Sequence, residues 1–295
     1  MAEIQDTDYN SLHNLIKEVM GTGTSSFGYG QSVVSSPVFQ GNIITAAQWD
    51  SLKFDIINAI LHQEGFSPTI ADVSSGDVIR ETSADPKVNY AAIIESAREN
   101  RFKLSPNQSV LSAIDTKTFT GSWSTSAELI LTMTFGSSND ARHFFNSGSE
   151  VGFTATRTGG TVTQQNNSWT SLLSAAGRLS FSEIAGSSGF YELTNSYTVI
   201  SEVSNSAPYA DNSVRVEARC NVADNSAGTA TIVEVKLNLL DPYQDQGPPA
   251  PGDLVDGTIE IEIDERKASG TLQPAGTGSF SVTSPSYAVS NISAS

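Results

Sequence analysis

The sequence predicts an α+β protein: a small N-terminal helical unit followed by one or more antiparallel, β-sandwich-like regions. Two patterns support this. Up to about residue 105, apolar residues recur at every third or fourth position, as on one face of a helix. From Thr116 onwards they recur at every second position, as on strands with one buried face. We therefore divide the chain into a helical assembly unit, 1–105, and a β-rich domain, 106–295, leaving open a further division near residue 225.

Three helices joined by glycine-rich turns are predicted in the first part. The second helix is the best defined, because Thr45 and Gln48 match a capping box and Gly65 is suited to end it. His62 lies in its last turn, where a helix C-terminus favours positive charge. The predicted helices cover about 6–20, 45–65 and 89–102.

The second helix also carries an apolar stripe at helical spacing. A compact unit of three short helices is small for independent stability, so we expect it to dock against another copy or another protein. We expect the stripe to pack against the other N-terminal helices, with Trp49 near the contact to a neighbouring subunit. The candidate assembly residues are Trp49, Leu52, Ile56 and Ile60.

The segment Asp140–Thr158 marks the change from helices to strands. We interpret its first half as a loop that places Phe144 and Phe145 in a core, ending at the turn signal Asn146-Ser147-Gly148. An alternating run follows and predicts a strand. The residues on its buried parity are Val151, Phe153 and Ala155.

Further strands are predicted wherever apolar residues share one parity. One helix, at about 167–176, interrupts them, and the tail 279–295 is either an edge strand or loose. The last alternation is the sharpest, with three isoleucines on one face and Glu260, Glu262 and Asp264 on the other. The inward sets are Leu129, Leu131, Met133 and Phe135; Tyr197, Val199 and Val203; Val214, Val216, Ala218 and Cys220; Val233, Val235, Leu237 and Leu239; and Ile259, Ile261 and Ile263.

Composition limits the possible partners. A formal net charge of −16 argues against nucleic acid, because phosphate contacts need clustered lysine and arginine. No apolar run has the length of a membrane helix, and the polar, acidic N-terminus does not resemble a signal peptide, so we expect synthesis in a cytoplasm and no membrane partner. The one cysteine, Cys220, lies on a buried parity and is expected to be an inert thiol.

We find no residue pattern that predicts catalysis, a cofactor or a metal. The three histidines, His13, His62 and His143, have no ligand spacing, and the glycine-rich stretch 21–30 lacks the flanking strand and lysine of a phosphate loop. Two sets of acidic residues are weak calcium candidates. The first set is better explained as a charged outer face of a strand and consists of Glu260, Glu262 and Asp264. The second set surrounds a proline-rich loop and consists of Asp241, Asp245, Asp253 and Asp256.

Five ordered segments resemble virion structural proteins of contractile-tailed phages of marine cyanobacteria. Together they are spread over most of the chain. The resemblance implies a particle component and transfers no catalytic residues. The segments are YNSLHNLIKEVMGTGTSSFGYGQ (9–31), ITAAQWDSLKFDIINAILHQEG (44–65), ARHFFNSGSEVGFTATRTGG (141–160), NNSWTSLLSAAGRLSF (166–181) and VDGTIEIEI (255–263).

We therefore expect a non-enzymatic subunit of the neck, tail or baseplate of a virion, assembled in the host cytoplasm. Its partners would be copies of itself and other virion proteins. The alternative is a tail fibre or tip protein that binds a receptor or host-surface glycan, with sugars stacking on Tyr209 beside Asp211-Asn212, or on Tyr243. A polysaccharide hydrolase is a third, weaker alternative.

Overall fold

A computed structural model describes residues 5–70, 72–74, 90–243, 252, 254–271 and 278–295. These residues form an α+β fold with α-helices and two antiparallel, sandwich-like sheets, as predicted. The chain divides into two compact units, and each unit takes several pieces of the sequence. The first comprises 1–110, 142–149 and 267–283, and the second comprises 111–141, 150–266 and 284–295.

The predicted division into 1–105 and 106–295 therefore needs correction. The first segment of the first unit does end near the predicted boundary, at Val110. The same unit also includes a short piece from the middle of the chain and another from near its end. Residue 225 lies inside the second unit, which continues on both sides of it. A contiguous division cannot describe this arrangement, because long-range packing rather than chain order defines each unit.

The three N-terminal helices lie close to their predicted positions. The capping box is present in α2: the N–H of Gln48 donates to Oγ1 of Thr45 at 3.3 Å, and the N–H of Thr45 donates to Oε1 of Gln48 at 2.8 Å. Gly65 ends α2 with a left-handed φ of 79°. These helices are α1, Asp6–Met20; α2, Ala46–Glu64; and α3, Tyr90–Glu99.

The segment interpreted as a loop around Phe144 is instead a helix, α4, Ser138–Asn146. Ser137 precedes it, and its Oγ lies 3.2 Å from the N–H of Asp140 and 2.8 Å from Oδ2 of Asp140. This is a local cap of the Ser-x-x-Asp type, which the sequence interpretation missed. The predicted turn at Gly148 is present, with φ 76°. A further helix, α5, Gln164–Ala176, begins three residues earlier than predicted because Thr163 caps it.

The strands form two antiparallel sheets. The first has the order β1–β8–β3–β4, with β9 added to β8, and the second has the order β10–β2–β7–β6–β5, with β11 added to β2. The tail therefore supplies three short strands. The bounds are β1, Ser109–Trp123; β2, Ser126–Thr134; β3, Glu150–Thr158; β4, Arg178–Phe181; β5, Thr198–Ser204; β6, Ser213–Cys220; β7, Ile232–Leu240; β8, Val255–Thr271; β9, Ser279–Ser281; β10, Ser286–Val289; and β11, Ser293–Ala294.

Most of the predicted inward residues are buried in the core of the second unit. On β2, β6, β7 and β8 the predicted parity is correct, and Cys220 is a buried free thiol. On β5 the prediction was wrong at Val199, which is 37% exposed whereas Ile200 is buried. Val203 is half-buried and lies opposite the buried Val214. The register of β5 against β6 shifts between Val199 and Ser201, and a bulge of this kind reverses which residues face inward.

Candidate functional site

The structure brings together one set of chemically suggestive side chains that sequence spacing did not indicate. His13 lies on α1, Ser35 lies in the connector that follows, and Asp55 lies on α2. Nδ1 of His13 is 2.8 Å from Oγ of Ser35, and that hydroxyl donates to Oδ2 of Asp55 at 2.5 Å. All three side chains are buried. They are the residue types of a hydrolytic triad, so their order decides what they can do.

In a Ser-His-Asp triad the histidine lies between the other two residues and accepts the serine proton. Here the serine lies in the middle. Its single proton goes to Asp55, so Nδ1 of His13 is the donor to the hydroxyl and cannot act as its base. Burial lowers the pKa of His13 and raises the pKa of Asp55. The arrangement does not activate Ser35 as a nucleophile.

The same residues have a clear structural role. The carboxylate of Asp55 also accepts the backbone N–H groups of Val34 at 2.8 Å and Ser35 at 2.9 Å. Further along, Asn10 on α1 exchanges two hydrogen bonds with the backbone of Val38, at 2.7 and 2.8 Å. Side chains of α1 and α2 therefore fix the connector between them. The buried group stabilises the fold of the first unit.

The four candidate assembly residues lie mainly inside this unit. Trp49, Leu52 and Ile56 are each no more than 2% exposed, and Ile60 is half-buried. The Trp49 ring packs edge-on against Tyr9 of α1, with centroids 5.2 Å apart, and lies 5.1 Å from the ring of Tyr90 of α3. The stripe thus packs against the neighbouring helices of its own chain. Its role in assembly stays a prediction.

The glycine-rich stretch after α1 is held by α4. Nε of Arg142 donates to the carbonyl of Ser25 at 3.0 Å, and Nη2 donates to the carbonyls of Phe27 at 3.0 Å and Thr22 at 3.3 Å. Nδ2 of Asn146 donates to the carbonyl of Gly28 at 3.2 Å. Phe144 and Phe145, the aromatic pair of this segment, are fully buried. The segment 142–146 therefore anchors a loop more than a hundred positions earlier in the chain.

At Gly30, this loop requires a glycine. Gly30 has φ 70°, and a Cβ at this position would lie 2.4 Å from Nδ1 of His143. Nε2 of the same histidine lies 3.1 Å from the carbonyl of Thr22. The loop therefore passes directly over the imidazole, and a larger residue would collide with it. The structure gives this stretch a packing role in the first unit.

His62 differs from the sequence expectation. It was expected to favour a positive charge at the end of α2, but it is 2% exposed, and burial lowers its pKa to about 3. The ring stacks on Phe280 with centroids 4.0 Å apart, and Nε2 donates to the carbonyl of Ser147 at 2.9 Å. The imidazole is therefore neutral, because burial penalises its charged form.

Two of the acidic residues considered for calcium, Asp264 and Asp256, already have protein partners. Asp264 receives Nε and Nη2 of Arg178 at 3.0 and 2.6 Å, and Asp256 receives the N–H of Thr161 at 3.0 Å. The proline cluster, Asp245 and Asp253 lie outside the described residues. Within the described ranges, no three His, Cys, Asp or Glu side chains are grouped so that they could hold a metal ion.

The tyrosines considered for glycan stacking lie together, but one of them is inaccessible. Tyr209 is 0% exposed, and its ring packs against that of Tyr243 with centroids 4.7 Å apart. A sugar needs an open aromatic face to stack on, so Tyr209 cannot provide one in this conformation. Tyr243 is half-buried.

Comparisons with known proteins add no identification. No protein-family model matches the chain, and no curated protein or solved structure matches it either. Among the helices that the structure describes, none is long and apolar enough to cross a membrane.

Proposed function

We propose that this protein is a non-enzymatic structural subunit of a tailed-phage virion, located in the neck, tail or baseplate and assembled as a homo-oligomer. The resemblance of the five segments supports the virion assignment. The observation that carries the proposal is that characteristic residues of three of these segments are buried and stabilise the fold. Trp49 and Trp169 are buried in the core, and Arg142 is buried and donates to backbone carbonyls. Residues used in this way are expected of a protein whose task is to keep a shape.

Mass spectrometry of purified particles tests the proposal. We expect peptides of this chain in intact particles, in multiple copies relative to a protein of known copy number in the same particle. The ratio should stay constant through successive density gradients, since a contaminant would be lost. Absence of the chain from intact particles would contradict the virion assignment.

A further inference from the structure

The strand β1 is an exposed edge of the first sheet. It stands at the end of the order β1–β8–β3–β4, so β8 is its one partner strand among the residues that the structure describes. It is 15 residues long and contains no proline, whereas strands are usually about 3–10 residues long. Most of its residues are exposed, including Leu111 at 55%. The N–H of Thr116 donates to Oδ1 of Asp115 at 2.8 Å. Elsewhere such an edge presents unpaired N–H and C=O groups to another strand.

The charges on this strand are balanced and symmetrical. The whole chain has 32 acidic and 16 basic residues, but β1 carries one of each, Asp115 and Lys117, on either side of Thr116. They lie on the same face of the strand, where Nζ of Lys117 is 2.9 Å from Oδ2 of Asp115. If two copies of β1 pair antiparallel about Thr116, Asp115 of each copy lies opposite Lys117 of the other. The strand is therefore complementary to itself.

Charge also favours this register over pairings shifted by one or two residues. A pairing centred on Asp115 would place two carboxylates opposite each other, and one centred on Lys117 would place two ammonium groups together; both are destabilising. A slip by one residue would put the charges of the two copies on opposite faces of the joined sheet. In the register centred on Thr116, Ala113 also lies opposite Phe119 of the second copy, and Ile114 opposite Thr118. Neither of these two pairs brings like charges together, so they do not oppose the register.

We propose that β1 is the contact between two copies of this chain, which pair antiparallel about a two-fold axis at Thr116 and join their first sheets into one. The N–H and C=O groups along the edge form the ladder, and the two Asp115–Lys117 pairs fix its register. This inference rests on the proposed homo-oligomeric state and identifies β1 as the contact between its copies. It does not depend on the place of the oligomer in a particle.

Two single charge reversals in the full chain test the pairing. D115K places lysines opposite lysines, and K117D places aspartates opposite aspartates, so each variant alone should dissociate roughly tenfold or more readily than wild type. Mixed together, the two variants should form a heterodimer, because every lysine then faces an aspartate. Each variant lacks the Asp115–Lys117 pair within its own chain, so repair of that pair cannot explain recovery in the mixture. Light scattering measures the masses, and thermal unfolding checks that both variants are folded.

A cysteine placed on the axis tests the register. In the proposed pair Thr116 faces its own copy with Cα atoms about 4.5–5.5 Å apart, within the range for a disulfide. T116C should therefore give a covalent dimer under mild oxidation. T118C is the matched control on the same face of the strand, because its copy lies more than about 13 Å away. The native Cys220 is buried and does not compete.

The outcomes separate this inference from the broader proposal. A wild-type mass equal to one chain would overturn both the homo-oligomeric state and the β1 contact. An oligomer that is unaffected by D115K and K117D, or that crosslinks equally through T116C and T118C, would overturn the β1 contact alone. Recovery of the dimer in the mixture, with crosslinking selective for T116C, would support it.

Discussion

At the scale of single residues, Asp241 shows how burial changes the behaviour of an ordinary side chain. It lies just after β7 and is 3% exposed. Burial raises its pKa to about 6, although the hydrogen bond from Gln165 opposes the rise. Nε2 of Gln165 donates to Oδ2 of Asp241 at 2.7 Å. The folded protein therefore binds a proton at this carboxyl more tightly than the unfolded chain does.

The sign of the pH dependence follows from this difference. Between about pH 4 and pH 6 the folded state holds the proton while the unfolded state has lost it, so Asp241 lowers stability as the pH rises and has a constant effect above that window. Asp241→Asn cannot titrate. Relative to this variant, the wild type should lose on the order of 1–3 kcal/mol of unfolding free energy across the window. Denaturant unfolding at a series of pH values measures the difference.

Asp224 provides a control of opposite sign. It is exposed in the turn after β6, and the backbone N–H and then the hydroxyl of Ser226 lower its pKa. Its contribution to stability is therefore present above its ordinary pKa and lost as the pH falls. The wild type should not lose stability relative to Asp224→Asn as the pH rises from 4 to 6. If the difference in unfolding free energy between wild type and Asp241→Asn stays constant from pH 4 to pH 6, the pKa of Asp241 is not raised in the folded protein.

At the scale of elements, Arg142 is one of three α4 side chains that hold the glycine-rich loop, with His143 and Asn146. Arg142 is 8% exposed and reaches three backbone carbonyls at once. Lysine keeps the charge but lacks the planar fork, so Arg142→Lys should leave buried carbonyls without donors. We expect a loss of about 1–3 kcal/mol in the free energy of unfolding, measured by denaturant titration of the full chain.

An exposed ion pair of the same unit gives the matched comparison. Nζ of Lys103 lies 3.4 Å from Oε1 of Glu64, and the lysine side chain is 51% exposed. Because solvent screens such pairs, Lys103→Ala should change stability by no more than about 1 kcal/mol. If Arg142→Lys has an effect as small as this, the hydrogen bonds of Arg142 to the loop contribute little to the fold.

At the scale of the whole molecule, each of the two units has its own buried tryptophan centre. Trp49 lies in the first, and Trp169 in the second packs edge-on against Trp123 with centroids 4.7 Å apart. Truncating a well-buried tryptophan costs about 3–5 kcal/mol, which is comparable to the stability of a small unit. Trp49→Ala should therefore expose residues 1–105 to limited proteolysis and leave the strands of the second unit protected.

The reverse variant shows whether this loss is local. Trp169→Ala should direct cleavage to the second unit instead. Light scattering on the same samples tests the assembly role assigned to the α2 stripe, since Trp49→Ala is then expected to lower the oligomeric state. Unchanged mass would remove that role, and identical cleavage patterns for the two variants would contradict local loss of structure.

The sequence by itself determined the elements whose signals are local. Alternating residues defined β2, β6, β7 and β8, because a strand with one buried face needs a period of two. The capping box at Thr45 and the glycine at 65 defined α2, because the groups that satisfy a helix end lie within a few residues of it. The general class, helices followed by antiparallel sheets, required nothing further.

Only the tertiary structure decided which distant residues meet. The group of His13, Ser35 and Asp55, the hold of Arg142 on the glycine-rich loop and the stacking of Phe280 on His62 all join residues separated by tens to hundreds of positions. No period or cap encodes such contacts, because they depend on the path of the whole chain. The lowered pKa of His62 and the raised pKa of Asp241 follow from the same cause, because burial is set by everything that packs around a residue.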